Sequence, residues 1–384
     1  MDLAFLVTER DISAGAGVFT RNAFCGAPVR ICRSLISRPG LRGLVVNNRV
    51  ANVGSPNAYE DALTVSRAVA DRYGLDPSSV LPASTGVIGW PLPIVEMTDA
   101  VRLAPELRSG DFADFARAIM TTDRYPKAVS RELPGGGRIT ACAKGAGMIE
   151  PDRATMRAFI TTDCAISSDQ ADDALRKAVG LSFNRISVDS DRSTSDMALL
   201  LSSARVQVDV EVFTDALCDL CRELADLIVR NGEGVGHVIR AQVHRLVAMD
   251  ETLPERIARA IVNSPLVKTA VSGNDPNVGR IVAVIGRVLA DHGESGLLGD
   301  AEVSVCDTVI FRGGSIVPLD AGAERALIEK MSLAGSDPHA EYPEHTSSVD
   351  IRVSWTTKGT DQVIEVLGGD LTEAYVQENA TYRS

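Results

Sequence analysis

Short runs rich in β-branched and other apolar residues recur along the chain and predict strands. One of them, Val238–Leu246, alternates apolar and polar positions over part of its length, as a half-buried strand does. The predicted strands are Ala4–Thr8, Gly43–Val46, Arg185–Asp189, Val238–Leu246, Glu302–Phe311 and Ile351–Trp355.

Helical periodicity occurs between these runs. From Val210 to Arg230, apolar residues recur at the spacing of one face of an amphipathic helix, and Gly232 and Gly234 follow as stop signals. The residues on this face are Phe213, Leu217, Leu220, Cys221, Leu224, Leu227 and Ile228. A second helix is predicted from Arg280 to about Leu289.

The mixture of strands and helices predicts an α/β protein of layered sheets and helices with a second, smaller α/β domain. That smaller domain is expected roughly between Asp250 and His345. The stretch from Gly335 to Ser348, which contains Pro, Gly and Ser, is predicted to be a connection.

Composition and charge narrow the class of protein. The chain has 384 residues, of which 45% are hydrophobic and 23% charged, as in soluble globular proteins of about two domains. Its formal net charge is -12 with no dense Lys/Arg run, so a nucleic-acid partner is not expected. No apolar run approaches the roughly 20 residues that cross a bilayer. Seven scattered cysteines and an N-terminus without a signal-peptide pattern favour a cytoplasmic protein with reduced thiols.

The Ala154–Thr155 bond is the most informative place in the chain. A hydroxyl at neutral pH is a weak nucleophile until a base takes its proton, and a threonine exposed as a new N-terminus has such a base in its own α-amine. The amine has an ordinary pKa of roughly 7.7 to 8.0, which suits reversible proton transfer. A lone Ala-Thr pair is common in proteins, so the surrounding sequence must show whether Thr155 is a nucleophile or an ordinary residue.

That surrounding sequence resembles the ornithine acetyltransferase family, also called glutamate N-acetyltransferase, over nearly the whole chain. The matching blocks are Ser84-Thr-Gly-Val-Ile-Gly89, Met120-Thr-Thr-Asp123, Lys144-Gly-Ala-Gly-Met-Ile-Glu-Pro151, Ala154-Thr-Met-Arg-Ala-Phe-Ile-Thr-Thr-Asp163, Asp189-Ser-Asp-Arg-Ser-Thr-Ser-Asp196, Asn263-Ser-Pro-Leu-Val-Lys-Thr-Ala270 and Asp275-Pro-Asn-Val-Gly-Arg280.

The resemblance implies that the chain cleaves itself into an α fragment, residues 1–154, and a β fragment, residues 155–384. Thr155 would then carry an acetyl group from N-acetylornithine to glutamate, without a cofactor or metal. The partners would be small amino-acid substrates, and the fragments would assemble as α2β2. No nucleic-acid or membrane partner is expected.

The same resemblance implies further site residues. Thr85 and Gly86 correspond to the donors that stabilise the oxyanion of each acyl-transfer step. Lys144 can pair with a carboxylate and Glu233 with an ammonium group. The substrate-binding residues implied by the family are Thr121, Lys144, Thr155, Glu233, Asn379 and Ser384.

Several positions depart from the family pattern. Val235-Gly236-His237 follows Glu233-Gly234 where Ala-Thr-Lys is usual, Val278 stands where tryptophan is usual, and the run from Asn47 to Val53 also differs. The chain ends on Ser384 where a threonine is more usual. These changes leave open an acyltransferase of a specialised-metabolite pathway with another amine acceptor or acyl donor.

Two other classes of function remain as alternatives. An N-terminal-nucleophile amidohydrolase would use the same Thr155 but pass the acyl group to water, and a non-enzymatic metabolite-binding or assembly protein would keep the chain intact. Cys218-Asp-Leu-Cys221 has CxxC spacing but no second pair, and Cys221 lies on the apolar face of the predicted helix, so this pair is predicted to pack in the core. The segment His339–His345 is predicted to form a solvated loop, because it lacks the spacing of a known metal site. Gly145 and Gly147 do not form a dinucleotide fingerprint.

Overall fold

The computed structural model describes residues 1–107, 112–150, 156–247, 249–356 and 359–380. The chain divides into two units. Unit 1 comprises the described residues of Met1–Asn184 and Asp191–Ile228. Unit 2 comprises Arg185–Ser190 and the described residues from Val229 onward.

Strands and helices alternate throughout, which confirms the predicted α/β class. The strands are β1 (Leu3–Val7), β2 (Ala14–Phe19), β3 (Gly43–Asn47), β4 (Val80–Ser84), β5 (Lys127–Glu132), β6 (Arg138–Lys144), β7 (Arg157–Ala165), β8 (Ile186–Ser187), β9 (Met197–Gln207), β10 (Val238–Leu246), β11 (Ala301–Val305), β12 (Thr308–Arg312), β13 (Ser315–Ile316), β14 (Val349–Trp355) and β15 (Gly359–Gly369). The helices are α1 (Ala27–Leu35), α2 (Ala58–Arg72), α3 (Ile94–Arg102), α4 (Phe112–Ala118), α5 (Ser168–Leu181), α6 (Val210–Arg230), α7 (Leu253–Asn263), α8 (Pro265–Ser272), α9 (Val278–Asp291), α10 (Ala321–Leu333) and α11 (Glu373–Ala380).

Unit 1 is built on two sheets. A three-stranded sheet has the order β1-β3-β4, and a five-stranded sheet has the order β2-β9-β7-β6-β5. In the larger sheet β7 is central, parallel to β9 and antiparallel to β6. One core joins apolar side chains of both sheets with those of α1 and α4, for example Val29, Leu44, Phe115 and Phe159. This layering places the ends of β4, β6 and β7 in one unit.

Unit 2 contains a seven-stranded sheet with the order β13-β12-β11-β14-β10-β15-β8. Its central pairs are β10 with β14, which is parallel, and β10 with β15, which is antiparallel. Helices α7 and α9 pack together, and α7 also packs on β10 and β15. Apolar residues from these elements form a single core cluster, with Ile239, Ile257, Ile285 and Val353 among its members.

The predicted elements with the strongest periodicity are confirmed. Helix α6 and strand β10 have the predicted bounds, and α9 contains the predicted helix. On α6 the predicted apolar face is buried, with Leu227 only partly so. Backbone at Gly234 then takes a positive φ of 64°. Residues 335–348 connect α10 to β14, as predicted.

Two strand predictions need correction. Glu302–Phe311 is not one strand but the hairpin of β11 and β12, because Cys306 and Asp307 both adopt positive φ values, 45° and 64°, and turn the chain. The run Arg185–Asp189 contains only the two-residue strand β8, because a 3-10 turn at Phe183–Arg185 precedes it. Neither turn contains glycine or proline, which is why the apolar pattern alone missed them.

Candidate active site

Three of the predicted site residues come together in unit 1. The Lys144 ammonium group donates hydrogen bonds to the Thr121 hydroxyl at 2.7 Å and to the Thr85 hydroxyl at 3.3 Å. Thr85 directly follows β4 and Lys144 is the last residue of β6, so two different sheets deliver these side chains. Thr85 and Lys144 are buried, at 2% and 7% exposure.

The turn after β4 gives Gly86 an unusual backbone. Its φ is +127°, and a Cβ there would lie 2.0 Å from the carbonyl carbon of Arg49. The Thr85 N–H donates to the Asn47 carbonyl at 3.0 Å, whereas the Gly86 N–H has no hydrogen-bond acceptor within the described ranges. Glycine is therefore required here, and its N–H remains available to a negatively charged oxygen.

A buried carboxylate, which the sequence did not single out, holds this cluster in place. Asp123 accepts hydrogen bonds from the Thr121 N–H at 3.0 Å, the Gly145 N–H at 2.8 Å and the Lys127 ammonium at 2.7 Å. Its second oxygen lies 4.0 Å from the Lys144 nitrogen. The side chains of Asp123 and Lys127 are both 0% exposed. Asp123 thereby holds the backbone at Thr121 and at Gly145, the residue after Lys144, and so positions both partners of the Lys144–Thr121 hydrogen bond.

The charges of this cluster shift one another's pKa. Burial would raise the pKa of Asp123, but the charges of Lys127 and Lys144 and the hydrogen bonds hold it well below its usual value. Burial lowers the pKa of Lys144 to about 8 despite the opposing charge of Asp123. The charged form of Lys144 can pair with a carboxylate.

Arg157 and Asp196 add two more buried ionisable side chains to this end of unit 1. The Arg157 guanidinium donates to the Ser84 carbonyl, next to Thr85. Burial raises the pKa of Asp196 to about 8, against the effects of Arg157, a Ser193 hydrogen bond and Lys144. Asp196 lies within a sequence block quoted above and Arg157 just after Thr155, but nothing in their spacing indicates that they approach Ser84 and Lys144.

Two other predicted site residues meet in unit 2. The Asn379 side chain, on α11, donates to the Glu233 carboxylate at 2.8 Å. Gly234 allows this approach, because a Cβ on it would lie 2.1 Å from the Tyr375 nitrogen on α11. Glu233 is 6% exposed. Ala154, Thr155 and Ser384 lie outside the described residues.

The unusual Val235-Gly236-His237 segment is anchored by Asp370. One carboxylate oxygen accepts from the Gly236 N–H at 2.9 Å, and the other lies 2.8 Å from His237 Nδ1. A Cβ on Gly335 would lie 2.7 Å from His237 Nε2. The imidazole is thus packed as an internal element of unit 2, where the family pattern has a long cation.

The remaining candidates fit the packing predicted for them. Cys218 and Cys221 are buried on α6, as predicted, and burial raises the pKa of both thiols. His345 Nε2 lies 2.8 Å from the Gly335 carbonyl in the connection before β14. Within the described ranges, three or more His, Cys, Asp or Glu side chains do not gather in a metal-binding arrangement. Among the same residues, every helix is too short or too polar to span a membrane.

Comparison with known proteins identifies the family of this chain. A family model described as the ArgJ family matches residues 1–384. The arginine biosynthesis bifunctional protein ArgJ of Nitratidesulfovibrio vulgaris is 39% identical over 394 residues, covering 100% of this chain and 94% of that protein. Its counterpart from Dehalococcoides mccartyi is 37% identical, covering 100% and 91%.

A solved structure of the arginine biosynthesis bifunctional protein argJ from Bacillus halodurans, 28% identical, covers 58% of this chain and 97% of that chain with a TM-score of 0.48. The family model and the sequence relatives cover both units of the chain and every sequence block quoted above. The chain therefore belongs to the ArgJ family.

Proposed function

We propose that this enzyme cleaves its own Ala154–Thr155 bond and then uses Thr155 to move an acetyl group from N-acetylornithine to glutamate. The relatives named above carry arginine biosynthesis in their names, which supports amino-acid substrates. The observation that carries the proposal is the buried Lys144–Thr121–Thr85 cluster beside the open N–H of Gly86.

In the first half-reaction the Thr155 hydroxyl attacks the acetyl carbonyl. The C–N bond of N-acetylornithine breaks, and the α-amine of Thr155 passes the hydroxyl proton to the leaving amine of ornithine. The oxyanion formed on the way is stabilised by the Thr85 hydroxyl and the Gly86 N–H. In the second half-reaction the amine of glutamate attacks the acyl-threonine and restores the Thr155 hydroxyl.

The charged residues implied by the family suit an amino-acid substrate. Lys144 pairs with a substrate carboxylate, which burial strengthens because little water competes with the ion pair. Glu233, oriented by Asn379, pairs with a substrate ammonium group. Thr121 and Ser384 supply hydrogen bonds. The α2β2 assembly and the cytoplasmic location remain predictions from the family resemblance.

The first test is whether the purified chain is cut. We expect two fragments, and N-terminal sequencing of the second should begin at Thr155. Thr155→Ala should give an intact 40.8 kDa chain without activity. A processed and active Thr155→Ala variant would refute the mechanism, and an intact wild-type chain that turns over substrate would do the same.

Kinetics test the acyl-threonine intermediate. Parallel double-reciprocal plots are expected for two half-reactions that share one acyl-enzyme, and intersecting plots would contradict it. Thr85→Ala should slow transfer by roughly 100- to 1,000-fold, since it removes one oxyanion donor worth about 2.7 to 4 kcal/mol. Thr85→Ser keeps the hydroxyl and serves as the matched control.

A related acyltransferase with another acceptor is the second candidate, and the replacement of the usual cation by the packed His237 favours it. Assaying acetyl transfer from N-acetylornithine to a panel of amines separates the two. A higher kcat/KM with an acceptor other than glutamate would select the second candidate. Release of free acetate without an acceptor would instead indicate an amidohydrolase.

A further inference from the structure

Two turns of unit 1 meet where the parallel strands β3 and β4 end. Asn47 is the last residue of β3 and Ser84 the last of β4, and the two lie opposite each other in the sheet. The first turn, residues 48–53, belongs to the run in which the sequence departs from the family pattern. The second turn, residues 85–89, contains the proposed oxyanion donors. The first turn therefore lies next to the site without a role in the proposed reaction.

The backbone of the first turn borders Gly86 on both sides. The Val87 N–H donates to the Arg49 carbonyl at 2.9 Å. Val50 forms β-bridges with both Thr85 and Val87, the residues before and after Gly86. The direction of the Gly86 N–H therefore depends on the shape of the first turn.

The first turn contains an unfavourable backbone conformation at Arg49. Its φ is +72°, in the left-handed region that residues other than glycine seldom adopt. The Arg49 side chain is exposed and makes no hydrogen bond or ion pair with the part of the chain that the structure describes. A strained backbone of this kind persists only where the surrounding structure enforces it. Another group must therefore hold Arg49 in this conformation.

The side chain of Asn47 can do so. It is buried, at 3% exposure for the residue, and its Nδ2 donates to the Val50 carbonyl at 2.8 Å and to the Asn48 carbonyl at 3.3 Å, on either side of Arg49. Its Oδ1 accepts a hydrogen bond from the Ser84 hydroxyl at 2.6 Å. One buried amide thereby closes the first turn and ties it to the end of β4.

From these contacts we infer that Asn47 is a positioning residue for acyl transfer, which directs the Gly86 N–H and the Thr85 hydroxyl toward the oxygen that gains negative charge. The inference rests on the proposed function. Besides its side chain, the Asn47 carbonyl accepts the Thr85 N–H at 3.0 Å. Asn47 acts through the turn and not through the substrate. Its loss should therefore lower the rate of acyl transfer and leave binding of the amino acid largely unchanged.

The test compares Asn47→Ala with the wild type in acetyl transfer from N-acetylornithine to glutamate. We expect kcat to fall by about 10- to 100-fold, because a misplacement of about 1 Å caused away from the reacting atoms can cost about 100-fold. The dissociation constant for ornithine, measured by calorimetry, should stay within about twofold.

Ser202→Ala is the matched control. The Ser202 hydroxyl is fully buried in unit 1 and donates to the Cys164 carbonyl at 2.6 Å, outside both turns. Like Asn47→Ala, it removes a buried side-chain hydrogen bond, but it should leave kcat at the wild-type value. An equal fall of kcat in both variants would assign the effect of Asn47→Ala to lost stability and overturn the inference.

A double-mutant cycle tests whether Asn47 acts through the oxyanion donors. Asn47→Ala should slow a Thr85→Ala enzyme by a smaller factor than it slows the wild type, because one of the two donors that it positions is already gone. The same factor in both backgrounds, or a kcat of Asn47→Ala equal to that of the wild type, would overturn the inference and leave the proposed function intact. Absence of acetyl transfer by the wild type would remove the proposed function and the inference with it.

Hydrogen exchange provides a second measurement if Asn47→Ala is uncut or does not fold. Ser84→Ala leaves Asn47 in place and removes the hydroxyl that joins its side chain to β4. The N–H groups of Thr85 and Val87 are both hydrogen-bonded to the chain from Asn47 to Arg49, so their exchange reports how firmly the second turn is held. Mass spectrometry should show faster exchange of residues 84–89 in Ser84→Ala than in Ser202→Ala. Equal protection in the two variants would show that the Asn47 side chain does not hold this turn and would overturn the inference.

Discussion

The buried Asp123–Lys127 pair gives the sharpest stability prediction. Asp123→Asn keeps the size of the side chain but replaces one acceptor oxygen by a donor. Oδ1 serves Lys127 and Gly145, and Oδ2 serves Thr121, so either orientation of the amide places an N–H against an existing donor. The Lys127 ammonium, fully buried, also loses its partner charge.

Breaking a buried ion pair by removing one partner typically costs about 3 to 5 kcal/mol, because the remaining charge stays desolvated. We expect Asp123→Asn to lower the free energy of unfolding of unit 1 by that amount at pH 7. In a Lys127→Met background that buried charge is absent and only the more distant Lys144 ammonium, at 4.0 Å, still faces Asp123, so the same change should cost less, about 1 to 3 kcal/mol. The difference between these costs is the coupling energy of the pair.

The assay can isolate unit 1. The chain has two tryptophans, Trp90 in unit 1 and Trp355 in unit 2. A Trp355→Phe background leaves Trp90 as the tryptophan reporter, and its fluorescence is followed during urea unfolding. A cost below about 1 kcal/mol, or an equal cost in both Lys127 backgrounds, would show that the pair is not the desolvated ion pair described above.

Two further predictions concern Gly86 and Asp196. Gly86→Ala should destabilise unit 1 by about 2 to 6 kcal/mol in urea unfolding, because the new Cβ strains the backbone and clashes with Arg49. Gly89→Ala is the control: its φ is +88° but the space around a Cβ is open, so it should cost only the strain of about 1 to 3 kcal/mol. Equal effects of the two substitutions would contradict the close approach at Gly86. The pKa of Asp196 is raised on folding from 3.8 to about 8, so its contribution to stability is complete below about pH 4 and is lost as pH rises to about 8. In a Thr155→Ala background, which is expected to keep both proteins uncut, Asp196→Asn should therefore gain stability relative to Asp196 as pH rises from about 4 to about 8. A pH-independent difference would contradict the raised pKa.

Periodicity predicted the elements that bury one continuous face. Helix α6 keeps its apolar spacing over its whole length, and β10 alternates because one of its faces packs on α7. Periodicity failed at β11 and β12, where Cys306 and Asp307 turn the chain without glycine or proline. The local pattern of apolar and polar residues predicts which face of an element is buried, but it indicates an unusual turn only when glycine or proline forms that turn.

The candidate site was predicted differently. Thr85, Thr121 and Lys144 were identified through the family resemblance, and Lys144 donates a hydrogen bond to each of the two threonines. Asp123 and Asp196 were missed as site residues because their significance lies in burial and in the charges around them. Contacts between residues many positions apart depend on tertiary packing, which spacing in a single sequence does not reveal.

The order of the five-stranded sheet determines what happens to the chain if it is split before Thr155. Strand β2 at one edge and strands β6 and β5 on the other side would belong to the first product, while β9 and β7 between them would belong to the second. Two seams of backbone hydrogen bonds, β2 with β9 and β6 with β7, would then bridge the products. Strands of the second product would lie between strands of the first in one hydrogen-bonded sheet, so we expect neither product to be recovered alone under native conditions, however dilute the solution.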